Sequence, residues 1–193
     1  MKAIVHALFW LSLSCWIAMV VAPGMTGMTA FTVLRDQQVS VPTYAPFFVD
    51  DPEGMSRLAA GLVTDPIFRI TSMIQWVLAP LTVVLCIIEF RPLRLLPGWA
   101  QAIRLPLLAL GLGLVIHHNG LLAPRMSKEL DTYRTAAAEM DRPVSDAARE
   151  RFDVDHRIAE RLYGIRLLAL LGAVVATAAG VASRPSSSGS DCT

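Results

Sequence analysis

Four apolar blocks, each about as long as a membrane span, dominate this sequence. An α-helix rises about 1.5 Å per residue, so about 20 apolar residues cross a hydrocarbon core of about 30 Å. The blocks predict an all-α fold, a four-helix transmembrane bundle within residues 1–184. Its expected spans are about residues 3–23, 69–90, 102–123 and 162–182.

The composition agrees with this fold class. Of the 193 residues, 54% are hydrophobic and 17% are charged, and the mean hydropathy is +0.50. A water-soluble domain has about 45–50% apolar and about 25% charged residues. The net charge is +1 and the sequence has no basic run, which argues against a nucleic-acid partner. The lipid bilayer is therefore the first expected partner.

The segments around the blocks predict how far the helices continue. Residues 126–140 have a helical composition, and a charged stretch, 146–161, leads into the last block. We therefore expect the third and fourth helices to extend beyond the bilayer, with Ser145 capping the fourth. Residues 24–34 either extend the first helix or lie at the interface. Residues 35–53 are expected to form a loop, and residues 185–193 a disordered tail.

The positions of Lys and Arg predict the orientation. A signal peptide also begins with a basic residue and an apolar stretch, but Pro23 follows the first block without a clean small-x-small site. With this block retained, four spans place both termini on one side. Basic residues concentrate in the short segments there, which predicts a multi-pass cell-membrane protein with cytoplasmic termini. These residues are Lys2, Arg91, Arg94, Arg104 and Arg184.

Histidines are the candidate ligands for a cofactor. Haem in a membrane bundle needs two imidazoles at similar depth, but His6 and His117 differ by about 20 Å in depth at about 1.5 Å per residue. His118 is adjacent to His117 and points about 100° away from it on a helix. We expect no cofactor and no metal site. The alternative is haem b or copper, with His117, His118 and His156 as the candidate ligands.

A polar cluster is predicted where the third and fourth helices leave the bilayer. Counted from the ends of the apolar blocks, Glu129 and His156 lie at the same level, and Arg125 lies within about 6 Å of it. Phe152 and His156 are expected to pack inward against the third helix. Within the spans we expect no acidic residue at depth. The charged residues Glu89 and Arg166 lie near block ends and can reach the interface.

Small residues recur at four-residue intervals in the fourth block, at Gly172, Ala176 and Gly180. This pattern lets two helix backbones approach closely. We expect it to serve helix packing within the chain, and dimerisation is the alternative.

Three short motifs resemble a known family. They are Trp16 followed by Ala22-Pro23, the run from Leu122 to Met126, and Phe152 followed four residues later by His156. With the four-span layout, they make the chain similar to the transmembrane protein 205-like family, a domain of unknown function. The resemblance implies a four-helix membrane bundle and no particular activity. Copper-resistance and haem-linked membrane families share the architecture by analogy only.

No catalytic motif is present in the sequence, since Walker A, GxSxG, HExxH, GxGxxG and zinc spacings do not occur. The leading hypothesis is a non-enzymatic membrane protein of structural or interaction type. Its expected partners are other membrane proteins or a second copy of the chain. A haem- or copper-binding redox protein and a small-solute permease are the alternatives.

Overall fold

The computed structural model describes residues 2–90 and 98–183. Over these residues the fold is all-α without strands, as predicted, and four helices are long and apolar enough to cross a membrane. A π-helical turn, His118–Leu122, joins α3 and α4 into one continuous helix. The predicted tail and Arg91, Arg94 and Arg184 lie outside the described residues. The helices are α1 (Lys2–Asp36), α2 (Pro52–Ile88), α3 (Gly98–His117), α4 (Ala123–Ala138) and α5 (Arg142–Ala182).

The first helix is longer than its predicted span. The span was expected to end at Pro23, whereas α1 has 35 residues and is about 52 Å long. Pro23 is buried inside the helix, where one missing backbone donor does not end it. Residues 24–34 thus extend the first helix.

The second helix also begins well before its apolar block. Asp51 caps it, since its Oδ1 accepts a hydrogen bond of 2.8 Å from the Gly54 amide. Pro52 follows in the first turn, where an amide donor is not needed. The predicted loop is correspondingly shorter, and it contains one 3₁₀ turn, Pro42–Tyr44.

The last helix starts with a different cap from the predicted one. Asp141 accepts a hydrogen bond of 3.2 Å from the Val144 amide, whereas Ser145 is buried inside the helix. The Ser145 prediction was wrong because the helix begins before Pro143, a residue that suits a first turn. The predicted extension of the third and fourth helices is present, in α4 and the first half of α5.

Two sets of contacts between helices hold most of the bundle together, and weaker contacts connect them. α1 packs mainly on α2, and α5 packs along both α3 and α4, while α2 meets α3 and α1 meets α5. Aromatic and aliphatic side chains from all four long helices fill the centre. The largest of them are Phe9, Leu13, Trp16, Leu108 and Leu170.

A second, smaller core lies at the end of the bundle opposite the start of α1 and the end of α5. It belongs to the cap, which we define as residues 37–66, α4 and residues 142–161. Phe47 and Phe48 pack there with Met55 and Leu58 of α2 and Ala137 of α4. The cap is therefore folded around an apolar core of its own.

Polar contacts tie the elements of the cap together. The Arg142 guanidinium lies 4.8 Å from the Phe47 ring centroid and donates to the Phe47 carbonyl at 2.9 Å. Asp65 accepts hydrogen bonds from Arg69 at 3.1 Å and from Arg134 of α4 at 3.3 Å. Burial by itself raises the pKa of the Asp65 carboxyl, but the bonds and charges of the two arginines outweigh it and lower the pKa.

Candidate functional site: two polar layers inside the bundle

The face of α2 that points into the bundle carries polar side chains among small and apolar ones, and the opposite face is apolar. Buried positions along the inner face include Thr71, Gln75, Thr82, Cys86 and Glu89. Exposed positions on the other face include Ile70, Met73, Val77, Leu81 and Val84. This is the reverse of a helix on the surface of a water-soluble protein, and it is what a membrane bundle with a polar interior requires.

Two groups of buried and half-buried polar residues, contributed by several helices, meet this inner face of α2. The terminal-side layer consists of His6, Trp10, Glu89, Gln101 and Arg104. The cap-side layer consists of Gln75, His118, Tyr163 and Arg166. Glu89 and Gln75 are 14 residues apart on α2, which separates the layers by about 21 Å.

An ion pair forms the centre of the terminal-side layer. Glu89 Oε2 lies 2.7 Å from Arg104 Nη2, and neither side chain is exposed. The guanidinium of Arg104 also lies 4.4 Å from the Phe9 ring centroid. The expectation that Glu89 reaches the interface was wrong, because Arg104 and His6 hold its carboxylate inside the bundle.

The hydrogen bonds of His6 define its tautomer. Trp10 Nε1 donates to His6 Nε2 at 3.1 Å, and His6 Nδ1 lies 2.8 Å from Glu89 Oε1. Because an indole N–H can only donate, Nε2 must accept, and the ring proton lies on Nδ1 and is donated to Glu89. The layer thus links α1, α2 and α3 through one carboxylate.

Between the layers the described part of the interior is mostly apolar, and a polar contact there joins α1 to α2. The hydroxyls of Ser12 and Thr82 are 2.7 Å apart, and Thr82 also donates to the Leu78 carbonyl at 2.7 Å. These hydroxyls satisfy each other and the backbone, so they join α1 to α2 without leaving an unpaired group.

Arg166 forms the centre of the cap-side layer. Its Nη1 donates to Gln75 Oε1 at 2.7 Å, and its Nη2 donates to the Leu114 carbonyl at 3.0 Å. Gln75 in turn donates to the Met19 carbonyl at 3.2 Å. Arg166 is fully buried, so the expectation that it reaches the interface was wrong as well. Acceptors on α2 and α3 hold the guanidinium inside.

The predicted cofactor ligands do not come together. His118 is buried and meets Tyr163 edge to face, with 5.0 Å between ring centroids. His117 is exposed, and His156 is half-buried in the cap, where it stacks on Phe152. His6 belongs to the other layer. Among the described residues no three His, Cys, Asp or Glu side chains are grouped to hold a metal ion. Haem or copper binding remains the untested alternative to the prediction of no cofactor.

The predicted polar cluster is divided into separate ion pairs. Arg125 lies 3.0 Å from Asp155, and Glu129 lies 2.8 Å from Arg151. His156 is 3.4 Å from Glu160 on its own helix. Helices α4 and α5 are antiparallel neighbours, as expected, but the predicted contact between Glu129 and His156 is absent.

Of the three small residues predicted to pack, Gly172 lies on the side of α5 that faces α3. A Cβ atom added to Gly172 would be 3.1 Å from Leu107 Cδ1. Ala176 and Gly180 are buried. At Gly172 the close approach is therefore made within the chain.

Comparison with known proteins identifies no relative, since no family model, curated protein or solved structure matches the chain. The resemblance to the transmembrane protein 205-like family therefore remains a prediction.

Sequence reasoning missed both polar layers, although a periodic pattern in α2 points to them. Gln75, Thr82, Cys86 and Glu89 recur at intervals of seven, four and three residues, which places them on one face. That face could have been recognised as the interior one, because polar side chains in a span avoid lipid.

Proposed function

We propose that this chain is a multi-pass cell-membrane protein with a structural or interaction role, and that its cap contacts other membrane components. The termini would lie in the cytoplasm and the cap on the opposite side. The observation that carries the membrane assignment is the reversed amphipathicity of α2, with lipid-compatible side chains outward and polar ones inward.

The cap supports a role in interaction. Its apolar core and its ion pairs give it a fixed shape, and a fixed surface loses little conformational entropy when a partner binds. An open groove of about 700 Å³ runs along α4 and the start of α5. Its charged lining residues are Lys128, Asp131, Glu139 and Asp141.

The orientation can be tested by labelling cysteines in intact cells with a membrane-impermeant maleimide. Val49 lies in the cap and is 73% exposed, so Val49→Cys, made together with Cys192→Ser, should be labelled from outside. The native Cys192 should be labelled only after the cells are opened. The reverse pattern would invert the proposed orientation.

The interaction role can be tested with a photo-crosslinking amino acid in native membranes. Placed at Thr135 or Val144, which line the groove, it should give discrete protein adducts. At Val175, which is 66% exposed among lipid-facing residues, it should give none. A probe at Leu107 should crosslink within the chain and shows that the chemistry works. Adducts from Leu107 alone would contradict the proposal.

A further inference from the structure

The two buried arginines of the bundle differ in how their charge is neutralised. Arg104 is paired with Glu89, whereas the acceptors of Arg166 are the neutral Gln75 amide and the Leu114 carbonyl. No carboxylate of a described residue forms an ion pair with Arg166. A buried, unpaired cation is costly in a protein interior, and more so inside a membrane.

Arg166 also has donors to spare. A guanidinium carries five N–H donors, and only two hydrogen bonds use them here. Its Nε has no acceptor among the described residues, and the same holds for the Tyr163 hydroxyl and His118 Nδ1. All three atoms are shielded from solvent. Arg104 also has two such nitrogens, Nε and Nη1, so the absence of a carboxylate partner in the described part of the chain is what distinguishes Arg166.

These unused groups belong to neighbouring side chains. The Arg166 guanidinium carbon lies 4.8 Å from the Tyr163 ring centroid, and the His118 ring centroid lies 5.0 Å from the same ring. Positive charge, a hydroxyl donor and an imidazole that can present an N–H therefore occur together. Such a set matches an acceptor of negative charge.

The backbone at this point is irregular too. The π-helical turn begins at His118, directly beside the cap-side layer. Single π-turns inside α-helices are rare and often occur at functional sites. This observation is independent of the charge argument.

We propose that the cap-side layer binds a small monovalent anion of the chloride class. Arg166 supplies the charge and its Nε–H, and Tyr163 and His118, protonated on Nδ1, supply neutral donors. A small ion is favoured over a lipid head group because all three donor atoms are enclosed within the bundle.

The test measures chloride binding to the purified full-length protein in phosphatidylcholine nanodiscs. Sodium chloride replaces sodium gluconate at constant ionic strength, so only the anion changes. Above saturation, each tenfold increase in chloride should raise Tm by about 3–6 °C for a chain of this size. Equilibrium binding of radioactive chloride gives a second, direct readout.

Variants assign the effect to the site. Tyr163→Phe removes one donor and leaves the buried charge in place, so it should fold and bind chloride about tenfold more weakly or worse. Arg166→Gln should abolish the chloride dependence. Arg125→Gln, which removes an exposed arginine in the cap, is the control and should keep it.

Three results would overturn the proposal. The first is a wild-type protein without chloride-dependent stability or binding, which would leave water as the partner of these donors. The second is equal chloride affinity in wild type and Tyr163→Phe. The third is stabilisation by phosphatidylglycerol nanodiscs but not by chloride, which would indicate a lipid head group.

Discussion

Glu89 and Arg104 form a fully buried ion pair, with 2.7 Å between Oε2 and Nη2. It joins the end of α2 to the start of α3. Taking two charges into an apolar interior is expensive, and their attraction offsets that cost only while both are present. The pair therefore acts as a unit that specifies how α2 and α3 pack.

The first prediction concerns this unit. Glu89→Gln or Arg104→Gln leaves one buried charge uncompensated, and each should lower the free energy of unfolding by about 3–5 kcal/mol. The double variant should cost clearly less than the sum of the two single variants. The measurement is denaturation in detergent or nanodiscs. Arg57→Gln, in an exposed pair with Glu53, is the control and should change stability by at most about 1 kcal/mol. Additive losses would show that the charges act independently.

The second prediction compares two glycines of the same helix, Gly111 and Gly113 of α3. A Cβ atom added to Gly111 would lie 3.0 Å from Trp16 Cη2, so this fully buried ring would have to shift within the packed core. Gly111→Ala should therefore cost about 1–3 kcal/mol through overpacking. At Gly113 nothing lies within 4 Å, so Gly113→Ala should be neutral or stabilise by up to about 1 kcal/mol. Equal Tm values for the two variants would be inconsistent with the close contact between the Trp16 ring and the α3 backbone at Gly111.

The number and type of helices could be predicted from the sequence because apolar blocks dominate it. Helix ends could be predicted only in part: the extension through residues 146–161 was expected, but the residues at which α2 and α5 begin were not. Asp51 and Asp141 set two helix starts through local capping bonds that an apolar-block count does not register.

The polar layers were missed for a different reason. Proximity to a block end suggested that Glu89 and Arg166 reach water, but their partners are distant in the chain. Arg104 and Gln75 are 15 and 91 residues away from them, respectively. Only the fold brings such partners together. The sequence could therefore indicate a polar face on α2, but not the Glu89–Arg104 ion pair or the position of Arg166 without a carboxylate partner among the described residues.

The third prediction tests the register of α4 against α5. Glu129 faces Arg151, and Arg125 faces Asp155. Four residues back along α4 thus correspond to four residues forward along α5, as expected for antiparallel helices in one register. The level count from block ends placed Glu129 opposite His156, because it assumed that the third and fourth blocks end at the same height. A short bismaleimide should link cysteines at 129 and 151 efficiently. Cysteines at 129 and 156 should react poorly, since residue 156 is about 7.5 Å further along the helix than residue 151. A preference for the 129–156 pair would mean that the hairpin has slipped.

The last prediction concerns the acid sensitivity of the cap. Burial alone would raise the pKa of the Asp65 carboxyl, but the hydrogen bonds and charges of Arg69 and Arg134 outweigh burial and hold this pKa below its ordinary value. A carboxyl with a lowered folded-state pKa contributes stability that is fully present above its unfolded pKa. That contribution is lost as the pH falls through the folded pKa.

At pH 7 Asp65→Asn should therefore lower the free energy of unfolding by about 1–3 kcal/mol, the range for hydrogen bonds to charged groups. The difference from wild type should shrink below about pH 4. Asp36→Asn, in a largely exposed pair with Arg35, is the control and should have little effect at either pH. A constant gap between wild type and Asp65→Asn from pH 7 to pH 3 would show that the side chain stabilises the cap through packing and not through its charge.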